Sequence, residues 1–129
     1  MSNSADDNVT TLTELKRQMA DFVAERNWNQ FHTPKNLAMS ISIEAAELME
    51  HFQWLTGEES RSVRQDAAKM QAIGEELADV LCYALSLANE LQIDVTQAML
   101  QKLVKNRQKY PVDQYRGRYG KDDPKRAEE

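Results

Sequence analysis

Four stretches of the chain repeat apolar residues at the alternating three-and-four spacing of an amphipathic helix. Leu12, Leu15, Met19, Phe22 and Val23 make the first stripe. It predicts a helix to about Arg26, opened by the capping-box pattern Thr11-Leu12-Thr13-Glu14. Thr33-Pro34, a cap residue followed by proline at the first helical position, starts a second helix. Its stripe is Leu37, Ile41, Leu48, Phe52 and Leu55, which predicts helix over residues 34–55 with Gly57 as the stop and residues 56–62 as a polar loop. A third helix is predicted over residues 62–91. Its first half is polar. From Ile73 onward it is nearly all apolar, with Leu77, Val80, Leu81, Ala84, Leu85, Leu87, Ala88 and Leu91. A single layer of helices from 129 residues can hardly cover such a segment, which points to a subunit interface. Asp94-Val95-Thr96-Gln97, a further capping-box pattern, opens a fourth helix that Tyr110-Pro111 ends. No strand-like alternation runs over a useful length, so the fold class is all-α. Residues 1–8 are expected to be disordered. Residues 112–129 are charged and aperiodic, and read as an extended or flexible tail on a single helical domain spanning residues 1–111.

Two acidic pairs interrupt these apolar runs. Glu44-Ala45-Ala46-Glu47 lies in the second helix, with Glu44 midway between Ile41 and Leu48 of the stripe; Glu76-Leu77-Ala78-Asp79 stands at the head of the apolar half of the third. Residues three apart on a helix share a face, about 5–6 Å apart at Cβ. If the two helices pack side by side, four carboxylates meet at one point. Buried charge without a partner is costly, so such a cluster calls for hard divalent cations, Mg²⁺ when water and phosphate complete the shell. Either pair alone is an ordinary acid pair on a helix surface. Both together, each abutting an apolar stripe, favour a metal site at Glu44, Glu47, Glu76 and Asp79. No histidine follows a glutamate at the spacing of a ferritin-like di-iron site, and one cysteine with two separated histidines does not suit zinc.

Composition narrows the chemistry. The net charge is −5 and the pI about 5.1, unlike a non-specific nucleic-acid binder, and an acidic protein handling phosphates needs metal to bridge like charges. Cys82 is the single cysteine, which excludes an intrachain disulfide and suits a reducing cytoplasm. No apolar leader or membrane-spanning run is apparent, so neither a membrane nor a nucleic-acid polymer is expected as a partner.

Other residues carry two readings each. Trp28 and Trp54, the only tryptophans, sit at element ends, where they are core residues or clamp a base by stacking. Tyr83, four after Asp79, shares its face and is core or a donor to phosphate. His51, one turn after Glu47, is an exposed helix histidine or a partner to the acids. Lys102, Asn106, Arg107 and Lys109 complement the fourth helix's dipole or contact phosphate.

Taken together, Glu44-x-x-Glu47 and Glu76-x-x-Asp79 resemble the signature of the all-α nucleoside triphosphate pyrophosphohydrolases, the MazG-like superfamily. Further segments resemble its dCTP pyrophosphatase branch: Glu25 to His32, Pro34-x-Asn36-Leu37, Phe52-Gln53-Trp54, Glu75 to Leu81, and Asn106-Arg107-x-x-Tyr110-Pro111. The resemblance covers about residues 12–111. It implies a four-helix bundle assembled as a dimer or tetramer, and Mg²⁺-dependent conversion of dNTP and water to dNMP and pyrophosphate, with dCTP or a modified dCTP as substrate. It further implies that Glu44, Glu47, Glu76 and Asp79 hold metal, that Glu44 or Glu47 serves as base, and that Trp28, His32, Trp54 and Tyr83 line the nucleotide pocket, with Lys102 and Asn106 as polar substrate contacts. A dUTP or broad-specificity pyrophosphatase, and a non-catalytic helical interaction module, are the alternatives.

Overall fold

The computed structural model describes residues 4–120 and 122–124. The disorder expected at residues 1–3 and the flexibility expected at residues 121 and 125–129 lie outside the described residues. Every regular element among the described residues is helical. These residues form two compact units, divided between Ile93 and Asp94.

In the first unit, α1 spans Leu12–Glu25, with Thr11 Oγ1 accepting the Glu14 N–H as cap at 3.1 Å. α2 spans Pro34–Glu50, capped by Thr33. α4 spans Ala67–Leu91. α2 runs alongside α4, and α1 packs on α4 as well. Leu37 of α2, Val23 of α1, and Leu85 and Ala88 of α4 are the buried apolar residues, and Leu37 is only 2 % exposed. The α2 stripe therefore faces inward as its spacing predicts. Ile41, Glu44, Leu48, Phe52 and Leu55 are all half-buried.

The connection between α2 and α4 departs from the sequence expectation. α2 stops at Glu50 rather than Leu55, and residues 51–55 form successive turns in which the Phe52 and Gln53 N–H groups both donate to the Met49 carbonyl. The expected polar loop is a short helix, α3, Gly57–Ser62. Its cause is a capping box: Thr56 Oγ1 accepts the Glu59 N–H at 3.1 Å, and the Glu59 carboxylate accepts the Thr56 N–H at 3.0 Å. Gly57 thus opens a helix instead of closing one. The long third helix is also broken. A 3₁₀ turn, Val63–Gln65, leads to Asp66, whose extended backbone and carboxylate cap start α4 afresh by accepting the Lys69 N–H at 3.1 Å. The expected disorder of residues 4–8 gives way to a local turn, in which Asp6 Oδ1 accepts the Asn8 N–H at 2.8 Å.

The second unit contains α5, Val95–Lys109, capped by Asp94 as predicted, and a short helix, α6, Val112–Tyr115. The extended chain expected after Pro111 is replaced there by one helical turn. In it the Tyr110 and Tyr115 rings meet edge to face with centroids 5.1 Å apart.

Candidate active site

Glu44 and Glu47 project from α2 one turn apart, and Glu76 projects from the facing part of α4. One carboxylate oxygen from each lies within 4.8 Å of the other two. Glu44 Oε2 and Glu76 Oε2 are buried and have no hydrogen-bond partner, whereas Glu47 is exposed. Burial pushes the Glu44 carboxyl up to about 7, helped by the close approach of the Glu47 carboxylate, its negative charge and that of Asp79. Glu76 is raised for the same first reason and by Glu47 next; contact with Glu44 pulls it the other way. Asp79, one turn after Glu76, stands outside the close trio, but its charge reaches both Glu44 and Glu76. Two buried carboxylate oxygens with no donor, inside an all-oxygen acidic trio, are the arrangement a hard divalent cation satisfies. The side chains present therefore fit such an ion.

An aromatic cavity of about 400 Å³ adjoins the acids through Asp79. Phe22, Trp28, His32, Cys82 and Tyr83 line it, with Met19. Its walls follow from how α1 ends. Asn27 takes a left-handed φ of 53°, so that the Trp28 N–H donates to the Val23 carbonyl and the Asn27 N–H to that of Ala24. That reversal turns Trp28 back onto Phe22, edge to face at 5.7 Å. The next turn, with the His32 N–H donating to the Trp28 carbonyl, stacks His32 on Trp28 at 6.1 Å. Asn36 then ties the loop to α2 by donating to the Phe31 carbonyl at 2.9 Å. Tyr83 of α4 closes the far side, 6.4 Å from His32. Burial, then the Asp79 charge, pushes the Cys82 thiol up.

Among the residues singled out by sequence, the fold gathers Glu44, Glu47, Glu76 and Asp79 in one region, and Trp28, His32 and Tyr83 around one cavity next to it. Trp54 is not in that wall; it stands 86 % exposed in the turns after α2. His51 is the half-buried C-cap residue of α2. Lys102 and Asn106 lie on α5 in the second unit, Lys102 exposed and Asn106 half-buried. Met19, Phe22 and Cys82 were not singled out. Met19 and Phe22 read as core in the α1 stripe, and Cys82 sits inside an apolar run.

The MazG-like family matches residues 39–121. dCTP pyrophosphatase 1 of Bos taurus is 42 % identical over 107 residues, 83 % of this chain and 63 % of that protein. The Homo sapiens dCTP pyrophosphatase 1 is 42 % identical over 102 residues, 79 % and 60 % of the two chains. The chain thus spans less than two thirds of the length of these curated relatives. A crystal structure of a pyrophosphatase from Archaeoglobus fulgidus superposes with a TM-score of 0.69 at 38 % identity, covering 86 % of this chain and 99 % of that one.

Proposed function

This chain belongs to the MazG-like family, and on that premise we propose that it is a Mg²⁺-dependent nucleoside triphosphate pyrophosphohydrolase, taking dCTP or a modified dCTP to the monophosphate and pyrophosphate. The observation that carries the reading is the pair of donorless, buried oxygens of Glu44 and Glu76, set beside an aromatic cavity through Asp79. A triphosphate needs cations and a base needs a stacking wall, and the two features adjoin. The dCTP pyrophosphatase relatives support the choice of base.

Glu44, Glu47, Glu76 and Asp79 would hold the cation. When bound, Mg²⁺ supplies positive charge against the polyphosphate and acidifies neighbouring water. A cation held there would offset the burial and the neighbouring charges that raise Glu44 and favour its ionised form. Glu44 or Glu47 then accepts the proton of the attacking water. Trp28, Phe22 and Tyr83 exclude water from the base and hold it by stacking, worth about 1–3 kcal/mol per base. A house-cleaning role in the cytoplasm fits a single free thiol.

Purified protein with Mg²⁺ and a panel of dNTPs and NTPs tests the activity through pyrophosphate release. Release is expected to be fastest from dCTP or a modified dCTP. Fastest release from dUTP would favour the related specificity, and none from any nucleotide would leave a helical interaction module.

The assembly is proposed to be a dimer or tetramer of four-helix units. Met39 and Ile43 of α2 and Leu77 and Leu81 of α4, each pair one turn apart, are 47–57 % exposed. A second copy is the occupant that the apolar excess of α4 calls for. Sedimentation equilibrium is expected to give a multiple of 14.8 kDa, and Leu81→Glu to shift it toward the single-chain mass. A wild-type protein sedimenting at the single-chain mass would contradict the assembly.

A further inference from the structure

Behind the aromatic wall lies a second cavity of about 160 Å³. Met19 and Val23 of α1, Asn29 and His32 of the following loop, and Ser86 and Asn89 of α4 line it. Two of its polar atoms have no partner. Ser86 is 6 % exposed and its Oγ makes no hydrogen bond, not even to the carbonyl one turn back that a helical serine ordinarily uses. His32 Nδ1 is buried and likewise unpaired. The third polar wall is already oriented: Asn89 Nδ2 donates to the Lys16 carbonyl at 2.8 Å, which leaves its Oδ1 as an acceptor. Glu90 also borders the cavity but is exposed, and solvent meets its charge.

Buried polar atoms left unpaired are costly, and water fills polar cavities that offer it two to four partners. At roughly 30 Å³ per molecule, this space admits water readily. A water held here would accept the Ser86 hydroxyl proton and donate its own two to Asn89 Oδ1 and His32 Nδ1. All three protein atoms are then satisfied at once. The arrangement requires Nδ1 to be unprotonated, so the ring proton sits on Nε2. His32 also lines the aromatic cavity, where the Asp79 carboxylate is a neighbour that favours an N–H over a lone pair.

We propose that Ser86 is a positioning residue. Through water held with Asn89 it fixes His32 as the Nε2–H tautomer, and so makes that ring a hydrogen-bond donor toward the aromatic cavity. Its effect on catalysis rests on the nucleotide reading above: the donor would meet an acceptor on the base, a carbonyl oxygen or ring nitrogen. A tautomer locked this way discriminates by hydrogen bonding, which stacking alone does not do. The tautomer itself does not depend on that reading.

Long-range ¹H–¹⁵N correlation spectra of the ¹⁵N-labelled protein decide it, since the chain has only two histidines and His32→Gln assigns them. In the wild type, Nδ1 of His32 is expected to be unprotonated and Nε2 protonated. Ser86→Ala should convert the signal to a tautomer mixture, and Ser86→Thr, which keeps the hydroxyl, should restore a single form. With dCTP and Mg²⁺, Ser86→Ala should raise KM about fivefold with kcat within about twofold, the loss of one ordinary hydrogen bond. A wild-type ring protonated on Nδ1 would overturn the proposal, whether or not the variants fold. So would a Ser86→Ala spectrum identical to wild type. A wild type that turns over no nucleotide would instead sink the functional reading and leave the spectra to judge the tautomer.

Discussion

Glu47→Gln is expected to lower nucleotide turnover by about 10²–10⁴-fold, the contribution typical of a positioned general base. Glu47 is exposed, so the isosteric amide disturbs no packing and the melting temperature should stay close to wild type. Its position explains the size of the effect. It is one of three acids whose oxygens lie within 4.8 Å of one another, and it shifts both half-buried members of the trio. On the proposed reading, losing its charge weakens the hold on the cation and removes one candidate acceptor for the water proton. Raising Mg²⁺ separates the two roles: recovery of kcat at high Mg²⁺ points to metal binding, and a persistent deficit to the proton. A variant that keeps wild-type turnover would remove Glu47 from the site.

The second large effect is a pH-dependent stability that the cation reverses. Glu44 has its folded-state value near 7 against the usual 4.5, and Glu76 is raised as well. A raised carboxyl binds its proton more tightly folded than unfolded. Its contribution is fully present below about 4.5 and is lost as pH rises through about 7. The metal-free protein should therefore melt at progressively lower temperature from about pH 5 to pH 8. On the proposed reading Mg²⁺ binds the ionised cluster, so its stabilising effect should grow over the same interval. At a free concentration about 100 times Kd, mass action adds about 2.7 kcal/mol, which is roughly 10 °C for a chain of this size. Melting curves with Mg²⁺ or with EDTA at the two pH values measure this. Glu44→Gln should flatten the metal-free slope and shrink the Mg²⁺ gain. A gain equal at both pH values, or unaffected in Glu44→Gln, would mean that the ion binds elsewhere.

Helix starts were well read from sequence because capping is local. Thr11, Thr33 and Asp94 each cap the helix expected of them. Local signals also compete, and there the structure departs from the expectation. Gly57 reads as a helix stop, while Thr56 and Glu59 around it form a capping box that starts one. Asp66 is a cap residue too, but it lies within a polar stretch whose composition suits continuous helix, so the 3₁₀ turn and restart before α4 went unseen. The aromatic cavity was half legible. Trp28 and His32 stand out by type, but Met19 and Phe22 have the same pattern as core residues. Only the left-handed turn at Asn27 brings Trp28 onto Phe22.

The sequence by itself determined the helical class, most helix starts, and the two carboxylate pairs, because backbone capping and side-chain spacing within a helix are set by residues three or four apart. Tertiary structure alone decided that the pairs meet: α2 lies against α4 in a register that joins Glu44 and Glu47 to Glu76. It alone decided which of their oxygens lose water, and therefore which acids are raised. It likewise decided that Ser86, unremarkable as a small residue in an apolar helix, shares a cavity with His32. Desolvation and convergence depend on surfaces distant in the chain, and no local pattern records them.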